Sequence, residues 1–143
     1  MEKHNTEMTV DATLDNLNNV VGFVEDSLGI TSCPMKLIMQ LELCVEELFV
    51  NVASYAYGEK TGSCKISIDS QHTDDTETVI IKMEDFGKQF NPLEKEDPDI
   101  TLSADERQIG GLGIYMVKQT MDKLEYSYEE NKNILRLEKS WHV

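Results

Sequence analysis

Cys64-Lys65-Ile66-Ser67-Ile68-Asp69 and Val79-Ile80-Ile81-Lys82-Met83-Glu84 carry the pattern that decides the fold. In the first run Cys64, Ile66 and Ile68 alternate with polar neighbours, and in the second Val79, Ile81 and Met83 alternate with Lys82 and Glu84. A period of two sends successive side chains to opposite faces, so each run is a half-buried strand. Between them Gln71-His72-Thr73-Asp74-Asp75-Thr76 is polar throughout, as an exposed hairpin loop should be. The pair leaves one apolar sheet face that needs cover.

The cover lies upstream. Leu37, Leu41, Val45, Leu48 and Val52 recur at helical spacing behind Pro34, whose missing amide hydrogen costs nothing in a first turn. Glu47, Asn51 and Tyr55 form an i, i+4, i+8 line beside that stripe. Before this helix, Leu14, Leu17, Val21, Val24 and Leu28 predict another, closed by Gly29, and Thr6, Met8 and Val10 predict a short strand ahead of it. Downstream, residues 87–111 hold Pro92, Pro98 and several carboxylates without periodicity. So long an irregular stretch inside one domain reads as a lid. A third helix from about Gly113 and strands Leu124 to Glu129 and Ile134 to Ser140, joined by a polar Glu130-Asn131-Lys132-Asn133 turn, complete a β-α-α-β-β-α-β-β order. The expected fold is α+β: a two-layer sandwich with three helices on one face of a mostly antiparallel five-stranded sheet.

At 143 residues the chain is one domain, able to bury roughly two thirds of its unfolded surface. Hydrophobic residues make up 40% and charged residues 28%, which fits a globule and not a disordered chain. The net charge of −14 repels phosphate backbones and anionic lipids, so neither nucleic acid nor a membrane surface is an expected partner. An acidic protein that holds a triphosphate needs a divalent cation or local donors to offset the repulsion, and magnesium is the expected cation. Cys33, Cys44 and Cys64 are odd in number and lack C-x-x-C spacing, which excludes a disulfide framework and fits a reducing cytoplasm. No signal-peptide stretch opens the chain and no apolar run approaches the ~20 residues that span a bilayer, so a soluble protein is expected.

Three short motifs carry candidate chemistry. In Glu47-Leu48-Phe49-Val50-Asn51, helical spacing projects a carboxylate and an amide oxygen one turn apart. The amide is a neutral hard ligand suited to magnesium, and the carboxylate can accept a hydroxyl proton; taken alone, both are equally well solvated surface residues. Glu84-Asp85-Phe86-Gly87 falls where a strand ends. There Asp85 can accept a hydrogen bond from an exocyclic amine and Gly87 lets a flat ring approach the backbone, although D-x-G is also an ordinary turn. Gly110-Gly111-Leu112-Gly113 opens directly into the third helix, so its amides and the helix dipole can hold an anion; a flexible hinge is the alternative. Neither G-x-G-x-x-G after the first strand nor G-x-x-x-x-G-K is present.

In this order the three motifs resemble the GHKL (Bergerat-fold) ATPase superfamily. The runs Asp85-Phe86-Gly87-Lys88-Gln89-Phe90-Asn91-Pro92 and Gly110-Gly111-Leu112-Gly113-Ile114, with the closing Asn133-Ile134-Leu135-Arg136-Leu137-Glu138-Lys139, are similar to the bacterial anti-sigma factor serine/threonine-protein kinases. The resemblance covers nearly the whole chain. It implies Mg-ATP and ADP as ligands, with Glu47 the general base, Asn51 the magnesium ligand and Asp85 the adenine-binding residue. It further implies Gly87 as that loop's glycine, Gly111 and Gly113 as lid glycines, and Arg107 as a basic residue offsetting phosphate charge, with a solvated lid residue as the alternative for Arg107. Its expected activity is transfer of the γ-phosphoryl group to a serine or threonine of an anti-sigma factor antagonist, together with sequestration of a sigma factor by a homodimer. A nucleotide-dependent clamp without kinase activity and a detached histidine-kinase-type ATPase domain stand as alternatives. The pattern departs at Tyr55, where family members commonly carry histidine.

Overall fold

The computed structural model describes residues 2–94 and 111–143, with the backbone alone for residues 2, 111 and 112. Strand β1 (Glu2–Asp11) leads through a 3-10 turn (Leu14–Asn16) into helix α1 (Leu17–Gly29). Pro34, extended at φ −62° and ψ 145°, caps helix α2 (Met35–Asn51), which runs on as a π-helical turn (Val52–Ala56). Strands β2 (Ser63–Thr73) and β3 (Thr76–Asp85), a 3-10 turn (Pro92–Glu94), helix α3 (Gly111–Thr120) and strands β4 (Lys123–Glu129) and β5 (Lys132–His142) follow. The five strands lie in the order β1-β2-β3-β5-β4, and every neighbouring pair is antiparallel. The expected element order and two-layer α+β sandwich are found, and the sheet is antiparallel throughout.

The strands outrun their apolar cores. Gln71 to Thr76 is not a loop: β2 and β3 stay paired as far as Thr73 and Thr76, leaving Asp74-Asp75 as the turn, with Asp74 at φ 53°. Likewise β4 and β5 close on Glu130-Asn131, at φ 52° and 64°, so Lys132 and Asn133 belong to β5. The two-residue loop with both φ values positive matches the twist of the flanking strands. Polar residues there mark the open side of a strand, where alternation alone cannot separate strand from turn. The same holds for β1, whose first polar residues pair with the end of β2, Glu2 opposite His72.

The helices cover one sheet face. Val20, Val24 and Leu28 of α1 and Leu41, Cys44, Val45, Leu48 and Phe49 of α2 are buried against Cys64, Ile66, Val79, Ile81 and Leu137. Leu37 and Val52, expected in the stripe of α2, are half-buried at its margins, while Ile38 and Phe49 take the inner positions. At one end of the sheet the buried Glu77 carboxylate accepts from Ser32 N (2.7 Å) and from the Ser32 hydroxyl, which in turn accepts from Trp141 Nε1 (3.0 Å). That network fastens the α1–α2 loop to β3 and β5, and buried polar groups must be satisfied in this way. The opposite end is left for the site.

Candidate functional site

Residues at the C-terminal end of α2, its π-helical extension, the ends of β3 and β5, and Tyr126 of β4 enclose a cavity of about 410 Å³. Leu48, Val52, Met83, Ile114 and Leu135 give it apolar walls, with Asn51, Asp85 and Asn133 among its polar groups. An apolar pocket with a few convergent polar groups is the usual form of a small-ligand site.

Asp85 is the last residue of β3 and is buried at 6% exposure. Its Oδ1 accepts from Gly87 N (2.9 Å), an Asx-type turn that bends the chain out of the strand, and from Asn133 Nδ2 (3.0 Å). Oδ2 has no protein donor among the described residues, so this carboxylate retains acceptor capacity in the cavity it lines. Asn133, the cross-strand partner of Asp85, is 7% exposed and holds the whole loop. Its Nδ2 also donates to Lys88 O (2.9 Å) and, at longer range, Gly87 O (3.4 Å); its Oδ1 accepts from Phe90 N (3.0 Å) and from the Tyr126 hydroxyl. A phenol is already protonated at neutral pH, and burial raises Tyr126 further above its ordinary value, so the hydroxyl remains a donor.

The other wall is made by the π-helical turn. A π turn spreads the chain beyond 3.6 residues per turn, so the expected line through Glu47, Asn51 and Tyr55 breaks after Asn51, and Tyr55 is swung out to 72% exposure at the cavity rim. The same turn offers the Ala56 carbonyl sideways to Lys88 N (2.8 Å). Tyr57, next along, donates to Ser63 O (2.5 Å) and accepts from Phe86 N (2.8 Å), tying α2, β2 and the loop after β3. Gly87 lies hard against this turn: a Cβ there would stand 2.4 Å from Ala56 O, a backbone atom that cannot yield. Across the helix layer, a Cβ on Gly113 would fall 2.0 Å from Glu47 Cδ, so the first turn of α3 rests on the Glu47 carboxyl group. Ile114 of the same turn lines the cavity, and Glu47 does not.

A family model described as a histidine kinase-like ATPase domain matches residues 10–139. The chain belongs to the histidine kinase-like ATPase family. It is also similar to the crystal structure of the RsbU and RsbW domains of Rv1364c from Mycobacterium tuberculosis, at 13% identity and a TM-score of 0.62. The match covers 96% of this chain and 33% of that one, so the chain spans about a third of that solved chain, and a likeness at such identity concerns the fold. Comparison with curated proteins gives no match.

Membership of this ATPase family implies nucleotide binding. Of the residues singled out in the sequence, the structure gathers Asn51 and Asp85 at the cavity, with Gly87 packed beside it. It sets Glu47 and Gly113 against each other at the α2–α3 contact. Gly111 and Leu112 open α3. Arg107, Gly110 and most of the 87–111 stretch read as a lid lie outside the described residues. Asn133 was hidden from the sequence by its place in an apparent turn. Only the register that sets it opposite Asp85 reveals it. Tyr126 and Phe90 are cavity residues of the same kind, legible as strand and loop but not as site.

No group of three or more His, Cys, Asp or Glu residues is placed to hold a metal among the described residues. The single amide oxygen of Asn51 fits magnesium, which commonly takes one or two protein oxygens and completes its octahedron with phosphate and water. No helix among the described residues is long and apolar enough to cross a membrane.

Proposed function

We propose that this domain binds Mg-ATP in the cavity and transfers the γ-phosphoryl group to a serine or threonine of an anti-sigma factor antagonist, and that it sequesters a sigma factor. The observation that carries the reading is the buried Asp85 carboxylate, fixed through Oδ1 by Gly87 N and Asn133 Nδ2 with Oδ2 left to accept. An acceptor held in an apolar cavity suits the exocyclic amine of adenine, and Met83, Val52 and Ile114 supply faces for the ring. Asn51 lines the same cavity and would hold magnesium, which when bound offsets phosphate charge in a chain of net charge −14. The amides that open α3 at Gly111, Leu112 and Gly113 lie where a helix N-terminus favours anions.

Phosphoryl transfer asks a protein for positioning and charge stabilisation more than covalent chemistry. Glu47 is held at the α3 contact by Gly113, and its role is to orient and deprotonate the attacking hydroxyl. Glu47→Ala is therefore expected to leave nucleotide affinity near wild type and to slow transfer by a factor of ~100 or more. Incubation with labelled ATP, magnesium and an anti-sigma factor antagonist, with label followed on Ser and Thr, tests both statements. Transfer by the variant at the wild-type rate removes the base assignment, and a tight complex without label transfer favours a nucleotide-dependent clamp. Homodimer formation belongs to the same proposal and is read by sedimentation.

A further inference from the structure

We propose that the outward face of α2 is a docking surface for a helix of a partner protein, one that is apolar along one stripe and basic beside it. Met35, Met39 and Leu43 are exposed at 68%, 59% and 52%, although all three are large apolar side chains. They recur at i, i+4 and i+8, a spacing that stacks side chains along one side of a helix over ~12 Å. Scattered exposed hydrophobics need no explanation, but an aligned row on the central helix of a layer is a patch. Two of the three are methionines, whose flexible thioethers adapt to varied apolar partners. Ile30, in the loop that feeds α2, is exposed at the same end.

Charge decides what kind of partner suits the row. Glu42 and Glu46 each stand three residues on from Met39 and Leu43, on the flank of the row nearer Glu25 of α1, while Lys36 lies on the other flank. Glu25 of α1 stands near enough to raise the Glu42 carboxyl, after burial, together with Glu46. The apolar row thus has an acidic bank of like charges that repel one another, on a chain already carrying −14. Lysine or arginine beside the apolar stripe of an incoming helix relieves that repulsion while the stripe covers the methionines, the helix-in-groove mode of recognition. A second copy of this acidic face brings like charges together. The face lies outside the residues lining the nucleotide cavity, so the inference does not rest on phosphoryl transfer.

The test uses the whole chain with its methionine methyl groups labelled for NMR. The probes are three synthetic 18-residue peptides: an amphipathic Leu/Lys helix, the same composition scrambled so that no stripe forms, and an amphipathic Leu/Glu helix. The Leu/Lys helix should bind more tightly than either control, shift the Met35 and Met39 methyl signals, and leave that of the buried Met83 in place. Its affinity should fall at least about tenfold in M39S/L43S, whose exposed positions leave the core intact, and severalfold in E42Q/E46Q, with a weaker dependence on salt. Circular dichroism and thermal melting confirm that both variants are folded. Equal binding of the scrambled peptide overturns the proposal, because charge alone then accounts for the affinity. So does an unchanged affinity in M39S/L43S, or a homodimer that M39S/L43S dissolves in sedimentation.

Discussion

Asn133 is where one side chain does most to shape the cavity. Its amide bonds to Asp85, Lys88 and Phe90 replace a ladder that the chain leaves once β3 ends, so the loop is held by a side chain instead of a strand. Truncation in Asn133→Ala removes these bonds to the part-buried loop backbone and to the buried Asp85 carboxylate, a cost of about 1–3 kcal/mol. Denaturant unfolding measures that cost. Calorimetry with ATP should show affinity down by roughly tenfold or more, because Asp85 loses the donor that orients it. The two close-packed glycines are expected to part company. At Gly87 the obstacle is Ala56 backbone, so Gly87→Ala breaks the Lys88–Ala56 bond and lowers stability and nucleotide affinity together. At Gly113 the obstacle is the flexible Glu47 carboxyl group, which can swing aside. Gly113→Ala should therefore keep or raise stability, alanine being favoured over glycine in a helix by about 0.5–1 kcal/mol, yet slow the proposed phosphoryl transfer by displacing Glu47. Parallel melting and label-transfer assays separate the two cases.

Among the elements, hairpins and the end of α2 show what a one-dimensional reading reaches. Alternation at Cys64 to Ile68 and Val79 to Met83 was enough to find the central strands, and the 3.6-residue period enough to find α1 and α2, because burial imposes those periods on the apolar residues. Strand ends were not legible: Gln71, Thr73 and Lys132 are polar whether they lie on the open face or in a turn. The π turn was equally hidden, since nothing in Val52-Ala53-Ser54-Tyr55-Ala56 distinguishes it from α-helix, and so the outward swing of Tyr55 could not be foreseen. At the cavity, motifs pointed to Asn51 and Asp85, which line it, and to Gly87 beside it, while Asn133 depended on cross-strand register. The β4–β5 turn carries a correctable local conflict, because Glu130 sits at φ 52°, where Asn or Gly is better suited. Glu130→Asn with Asn131→Gly installs the preferred pair of a type I′ turn. It should stabilise the protein by about 0.5–1 kcal/mol without changing nucleotide affinity, as read from the denaturation midpoint at constant slope.

For the molecule as a whole, the three cysteines report on the core that joins helices to sheet. Cys33, Cys44 and Cys64 are free and buried, and burial raises all three thiols, Cys33 to about 11 and Cys64 to about 12 against an ordinary 9.0. Asp85 and Glu84 add to the rise at Cys64, which links the β2 end of the core to the site. Thiolate is the reactive form, so a disulfide reagent at pH 8 should leave the native thiols untouched and modify all three in denaturant. The same shifts fix the sign of an alkaline transition. A group neutral when protonated, with its folded pKa above the unfolded one, contributes stability that is complete below the unfolded value and is lost as pH rises past it. Above about pH 9 the unfolded chain releases thiol protons that the folded chain retains, so stability falls, by about 1.4 kcal/mol per pH unit for a thiol as buried as Cys64. Unfolding free energies measured between pH 7 and pH 11 should therefore be flat at first and then decline. Cys64→Ala should lower the whole curve through the small cavity it leaves and make the alkaline decline shallower. An unchanged slope in that variant assigns the decline to other groups, because a cavity shifts stability equally at every pH and only the lost titration changes the slope.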